Sequence, residues 1–258
     1  MRVTLAGLVA QLMLLAALAT VVRLGPAGWL VGSGYALTAY TVLGLALHRL
    51  GARSFGPANR ITLLRAVLVG GVAALIAADA PARVLVPVAA TALLMDAVDG
   101  LVARREGEHS RLGARFDLEV DAALILLLSI EVAGWLGPWV LAIGAMRYVF
   151  VAAGRVLPWL RRPVPAGRTA KAVAAAQGVV LVTVASGLLP MRLAVAGTAL
   201  ALAALTWSFA RDVGWLYRNR LRGCGSRPGS GAASPDPVGP PASSPARPDD
   251  PGRARPGG

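Results

Sequence analysis

The residues able to do chemistry are concentrated in one short stretch, MDAVDGLVARREGEHSRLGARFDLEVDA, from Met95 to Ala122. It holds Asp96, Asp99, Glu106, Glu108, Asp117, Glu119 and Asp121, over half of the chain's 13 acidic residues. Asp96 and Asp99 lie three apart, Asp117 and Asp121 four apart. On helices each pair shares one face. A short turn between two such helices sets them antiparallel, so the pairs could converge. Four carboxylates near a membrane boundary are costly unless cations pair with them. A cluster of hard oxygen ligands suits Mg²⁺, Mn²⁺ or Ca²⁺. Glu106, Glu108 and Glu119 read more simply as partners for the arginines of the same loop. Gly100, Ala103 and Gly113 lie between the two pairs. Small side chains let helix backbones approach closely, or let phosphates reach the backbone.

These acids interrupt a chain that is otherwise rich in Ala, Leu and Val. Of 258 residues, 56% are hydrophobic, and the mean hydropathy is +0.62. Soluble domains run at about 45–50% apolar. Apolar runs of about 20 residues recur, the length a helix needs to cross a bilayer. The alternation of a transmembrane β-barrel is missing. The chain therefore reads as an all-α, polytopic membrane bundle of about eight transmembrane helices. The spans fall roughly at 3–22, 27–49, 61–79, 83–103, 114–134, 136–154, 170–189 and 191–216, with Gly and Pro punctuating the breaks. The first run is long and closely followed by others, so it reads as a retained span rather than a cleaved signal.

The formal net charge of +13 is distributed unevenly. Arg49, Arg53 and Arg60, then Arg104, Arg105, Arg111 and Arg115, then Arg155, Arg161, Arg162, Arg168 and Lys171 occupy alternate connections, as does the Arg-rich C-terminus. The intervening loops hold Arg23, Arg83 and Arg192. The positive-inside rule then places both termini and the acidic stretch in the cytoplasm, in a multi-pass protein of the cell membrane. Nucleic acid is not needed to explain the charge. Cys224 is the single cysteine, which excludes an intrachain disulfide and a cysteine metal cluster.

Asp96-x-x-Asp99-Gly100-x-x-Ala103-Arg104, eight residues, then Gly113-x-x-x-Asp117-x-x-x-Asp121 resembles the signature of the CDP-alcohol phosphatidyltransferases, with all eight positions at the family's spacing. The upstream PANRITLLR, from Pro57 to Arg65, is similar to the family's lead-in to its first core helix. The resemblance covers roughly residues 57–217; with the composition change after Leu221 to Gly, Pro, Ser, Arg and Asp, the chain divides into two N-terminal transmembrane helices (1–56), a catalytic core (57–221) and a disordered cytoplasmic tail (222–258).

By that resemblance, the enzyme transfers a phosphatidyl group from CDP-diacylglycerol, or a similar CDP-alcohol, to an alcohol and releases CMP. Asp96, Asp99 and Asp117 would ligate Mg²⁺ or Mn²⁺. Asp121 would join the metal site or act as general base. Gly100, Ala103, Arg104 and Gly113, with Asn59 and Thr62, would shape the nucleotide pocket. Membrane lipids are expected partners, and a homodimer is left open.

The acceptor is less legible. Arg147 lies inside an apolar span, where an ionisable residue is a candidate functional group. The basic residues from Arg155 to Lys171 would suit a phosphorylated acceptor such as glycerol 3-phosphate or inositol phosphate. Tyr148 stands where phosphatidylglycerophosphate synthases tend to carry an acid. The rival reading is a divalent-cation transporter or channel. A transport site belongs near the bilayer midplane between repeated halves. Here the acids sit at one membrane edge, and no internal repeat is visible.

Overall fold

The computed structural model describes residues 2–50, 57–106, 111–161 and 168–225, with side chains defined over 4–48, 61–97, 172–218 and most of 113–160. The described residues form α1 (Arg2–Val21), α2 (Gly25–Leu50), α3 (Pro57–Ala77), α4 (Ala82–Glu106), α5 (Arg111–Leu136), α6 (Leu141–Val156), α7 (Arg168–Ala185) and α8 (Met191–Gly225), with short 3₁₀ turns at Pro138–Val140 and Pro158–Arg161. There is no strand among them. The eight long helices fall where the apolar runs predict them. α8 continues to Gly225, past the expected core boundary at 221. The tail beyond it lies outside the described residues.

The breaks have local causes. Gly137 adopts φ 106, a conformation that L side chains rarely take, and Pro138 follows it at the start of a 3₁₀ turn. Gly187 does the same job after α7, at φ 69. Pro57 opens α3, where its missing N–H would have had no intrahelical partner.

α3 is the central helix. It packs against α1, α2, α4 and α5, while α7 packs against α4, α5 and α8. The core joins Ala66, Val69, Val72, Ala74 and Leu75 of α3 to Leu85, Ala89 and Ala92 of α4, Val120, Leu124 and Leu128 of α5, and Leu181 and Val184 of α7. Small residues set the closest approaches, as in other membrane bundles. A Cβ on Gly144 of α6 would stand 2.5 Å from the Cα of Leu126 on α5. One on Gly178 of α7 would meet Leu93 of α4 at 2.7 Å.

The exterior is apolar, with Leu5, Met13, Leu30, Leu37, Leu200 and Trp207 exposed. Among the described residues, four stretches are long and apolar enough to cross a membrane: Thr4–Val21, Gly25–His48, Pro138–Val156 and Met191–Arg218. α3 and α7 carry shorter apolar runs, Ile61–Ala77 and Ala172–Ala185. α4 and α5 carry the charged residues of the acidic stretch. The fold is thus an all-helical membrane bundle. Apolarity alone supports four spans of the eight expected.

Candidate metal centre

The acids are brought together by α3. The chain alternates direction, so the first half of α3, the last half of α4 and the first half of α5 lie at the same end of the bundle. Arg65 is eight residues into α3, roughly 12 Å along its axis, and Asp96 and Asp121 lie roughly 15 Å from their helix ends. All three therefore sit at similar depth.

Arg65 is the hub. Its Nη1 stands 3.1 Å from Asp96 Oδ1 on α4. The same nitrogen donates to Asp117 Oδ1, and Nη2 donates to Asp121 Oδ1, both on α5. The Arg65 side chain is 1% exposed, whereas Asp96, Asp117 and Asp121 are 39%, 35% and 36% exposed. The guanidinium thus approaches from the protein side, and the carboxylates keep an open side.

Each of the three carboxylates offers an oxygen within 4.8 Å of the other two. Among the described side chains of the cluster, three carboxylates face one guanidinium, a formal excess of two negative charges. Hard oxygen donors, this charge excess and one open side are what a small divalent cation requires. The residues present therefore fit the metal that the sequence implies.

Other expected site residues fall around this centre. Thr62 is buried one turn before Arg65 on α3. Gly113 lies one turn before Asp117 on α5, partly buried. Asp99 is three residues beyond Asp96 on α4, a spacing that keeps it on the same face. Its side chain lies outside the described residues, as do those of Asn59, Ala103 and Arg104. Gly100 continues the same helix. The side chains of Arg161, Arg162, Arg168 and Lys171 are likewise outside them.

Two findings were not foreseen. Arg65 received no role in the sequence reading, although an arginine inside ITLLRAVLVGG is the same signal that singled out Arg147. Glu119, expected to pair with a loop arginine, instead accepts a hydrogen bond from Nη2 of Arg147 on α6 at 2.7 Å. Glu119 lies between Asp117 and Asp121 in sequence but faces a different helix. Arg147 is 32% exposed and Glu119 59%. This pair ties the middle of α6 to α5.

A family model described as CDP-alcohol phosphatidyltransferase matches residues 55–209. That is more than half of the chain, and it contains all of α3 to α7, Arg65 and every aspartate of the cluster. The chain belongs to the CDP-alcohol phosphatidyltransferase family. No curated protein and no solved structure matches it. Members of the family are phosphotransferases that move a phosphoalcohol group from a CDP-alcohol to an alcohol acceptor. Family membership makes this chain a transferase of phospholipid biosynthesis, and the apolar helices fit its place in a membrane. α1 and α2 precede the matched region, and the end of α8 follows it.

Proposed function

We propose that this phosphatidyltransferase takes CDP-diacylglycerol as donor and passes its phosphatidyl group to an alcohol, releasing CMP. The observation that carries the reading is the convergence of Asp96, Asp117 and Asp121 from α4 and α5 onto one partly open patch. Asp96, Asp99 and Asp117 would hold Mg²⁺ or Mn²⁺, with Asp121 at the edge of the same set. A divalent cation held there would neutralise diphosphate charge and stabilise the departing CMP.

The chain's own residues do the rest. The acceptor oxygen forms a bond to the phosphatidyl phosphorus as the bond from that phosphorus to the bridging oxygen breaks. CMP leaves with the bridging oxygen, and the acceptor's proton passes to Asp121. A positioned carboxylate can serve this purpose. Thr62 and Gly113, one turn from Arg65 and Asp117, flank the patch, with Asn59, Gly100, Ala103 and Arg104 on the same helices. They form the nucleotide side of the pocket.

The orientation follows from the loop charges. The arginines cluster at and beside the helix ends that flank the connections after α2, α4 and α6, so the site opens to the cytoplasm in a cell-membrane protein with both ends inside. An ion-conducting role would set the acids between repeated halves, and no internal repeat is visible in the sequence.

The test is a screen of candidate alcohols, phosphorylated polyols included, against labelled CDP-diacylglycerol with Mg²⁺ or Mn²⁺, reading the lipid product. A labelled phospholipid with one of the alcohols supports the reading. Retention of all label in CDP-diacylglycerol, with every alcohol and both metals, overturns it.

A further inference from the structure

We propose that Arg65 is the resident counter-cation of the acid cluster: it holds Asp96, Asp117 and Asp121 together in the metal-free enzyme and competes with the divalent cation for their oxygens. The inference rests on the metal reading above. It concerns what sets the affinity of that site.

Three observations lead to it. Arg65 contacts a carboxylate oxygen of all three acids at once, from two helices. Without a cation, three carboxylates with oxygens inside 4.8 Å repel one another. Arg65, in contact with all three, therefore helps α4 and α5 approach at this end before any metal arrives. Secondly, the guanidinium is buried while the acids are open, so metal and arginine reach the same carboxylates from opposite sides. Thirdly, the Nε of Arg65 is buried with no hydrogen-bond partner among the described residues. A purely structural arginine at 1% exposure would be expected to satisfy that donor. Among the described residues, Arg65 thus grips the cluster through Nη1 and Nη2 only.

The sign of one measurement separates this role from simple scaffolding. A positive charge beside the cation disfavours metal binding. If Arg65 only shaped the site, its loss would loosen metal binding. If it competes, its loss tightens it.

The experiment uses the full chain in detergent micelles, stripped with chelator. Free Mn²⁺ is read by electron paramagnetic resonance during titration of wild type, Arg65→Gln, Arg65→Lys and Asp96→Asn. We expect Arg65→Gln to bind Mn²⁺ about ten-fold more tightly, what solvent screening leaves of the Coulomb term. Arg65→Lys keeps the charge and should stay near wild type. The metal-free Arg65→Gln protein should also melt at a lower temperature and recover when Mn²⁺ is added. Affinity in Arg65→Gln equal to or weaker than wild type overturns the inference.

Should Arg65→Gln not survive stripping, the protein purified in Mn²⁺ is titrated with chelator. Loss of its metal at the wild-type chelator concentration, or below, overturns the inference equally. Asp96→Asn keeps the two readings apart. If wild type binds no more Mn²⁺ than Asp96→Asn does, the metal site itself fails. If Asp96→Asn loses binding but Arg65→Gln gains none, only the role of Arg65 fails.

Discussion

Replacing Asp121 with Asn separates holding the donor from moving the proton. The side chain keeps its volume and an oxygen that can still accept from Arg65 Nη2. It loses one negative charge, and it becomes a very poor base. Asp96 and Asp117 remain on Nη1 of the same guanidinium, so Arg65 stays paired. Asp121 is also 36% exposed, and solvent screens the lost charge. The stability change should therefore stay within about 1 kcal/mol. General-base assistance is worth about 10²–10⁴-fold in rate, which corresponds to roughly 3–5 kcal/mol of barrier. Turnover should fall in that range, while CDP-diacylglycerol affinity weakens far less than in Asp96→Asn. The assay measures single-turnover CMP release and donor affinity in parallel for both variants. Equal loss of donor affinity in the two would refute the reasoning. Asp121 would then be chiefly a metal ligand, and the base would lie elsewhere.

Gly144→Ala places a Cβ 2.5 Å from the Leu126 backbone, short of the roughly 3.5–4.0 Å of a carbon contact, so α5 and α6 must separate by about 1 Å. We expect a loss of about 1–3 kcal/mol in stability, seen as a lower melting temperature, and a wild-type melt would show that the helices are not so closely packed. The Arg147–Glu119 pair is partly exposed, so a double-mutant cycle with Ala at both positions should give a coupling of about 1 kcal/mol or less in stability. A larger coupling would mean that the pair is shielded from solvent. Reporter fusions after Arg105 and after Leu221 should both report cytoplasm. A periplasmic signal at either site would invert the proposed placement of the active site.

Much of this was legible because the relevant signals are local. Helices α1 to α8 follow from apolar runs cut by Gly and Pro, and Gly137-Pro138 marks a break that its backbone then requires. The aspartate spacing places Asp117 and Asp121 on one face of α5 without any knowledge of the neighbours. What the sequence conceals is which helix stands between the two acid pairs. Arg65 lies 31 residues before Asp96, and no local pattern links them. Only the packing of both α4 and α5 on α3 makes it the hub. Glu119 was misassigned for a related reason. Proximity in sequence favoured the loop arginines, whereas its place on α5 turns it toward Arg147. The close approach at Gly144 was equally hidden, because it depends on Leu126 lying opposite.

If the aspartate cluster holds the metal needed to cleave CDP-diacylglycerol, CMP release must depend on both the metal and Asp96. Wild type and Asp96→Asn are compared with CDP-diacylglycerol, the accepted alcohol and Mg²⁺ or Mn²⁺, each with and without excess chelator. Wild type should release CMP until chelator abolishes it, and Asp96→Asn should lose nearly all release, with excess Mn²⁺ restoring it at most partly. Wild-type release that persists in chelator, or near-normal turnover in Asp96→Asn, would contradict it.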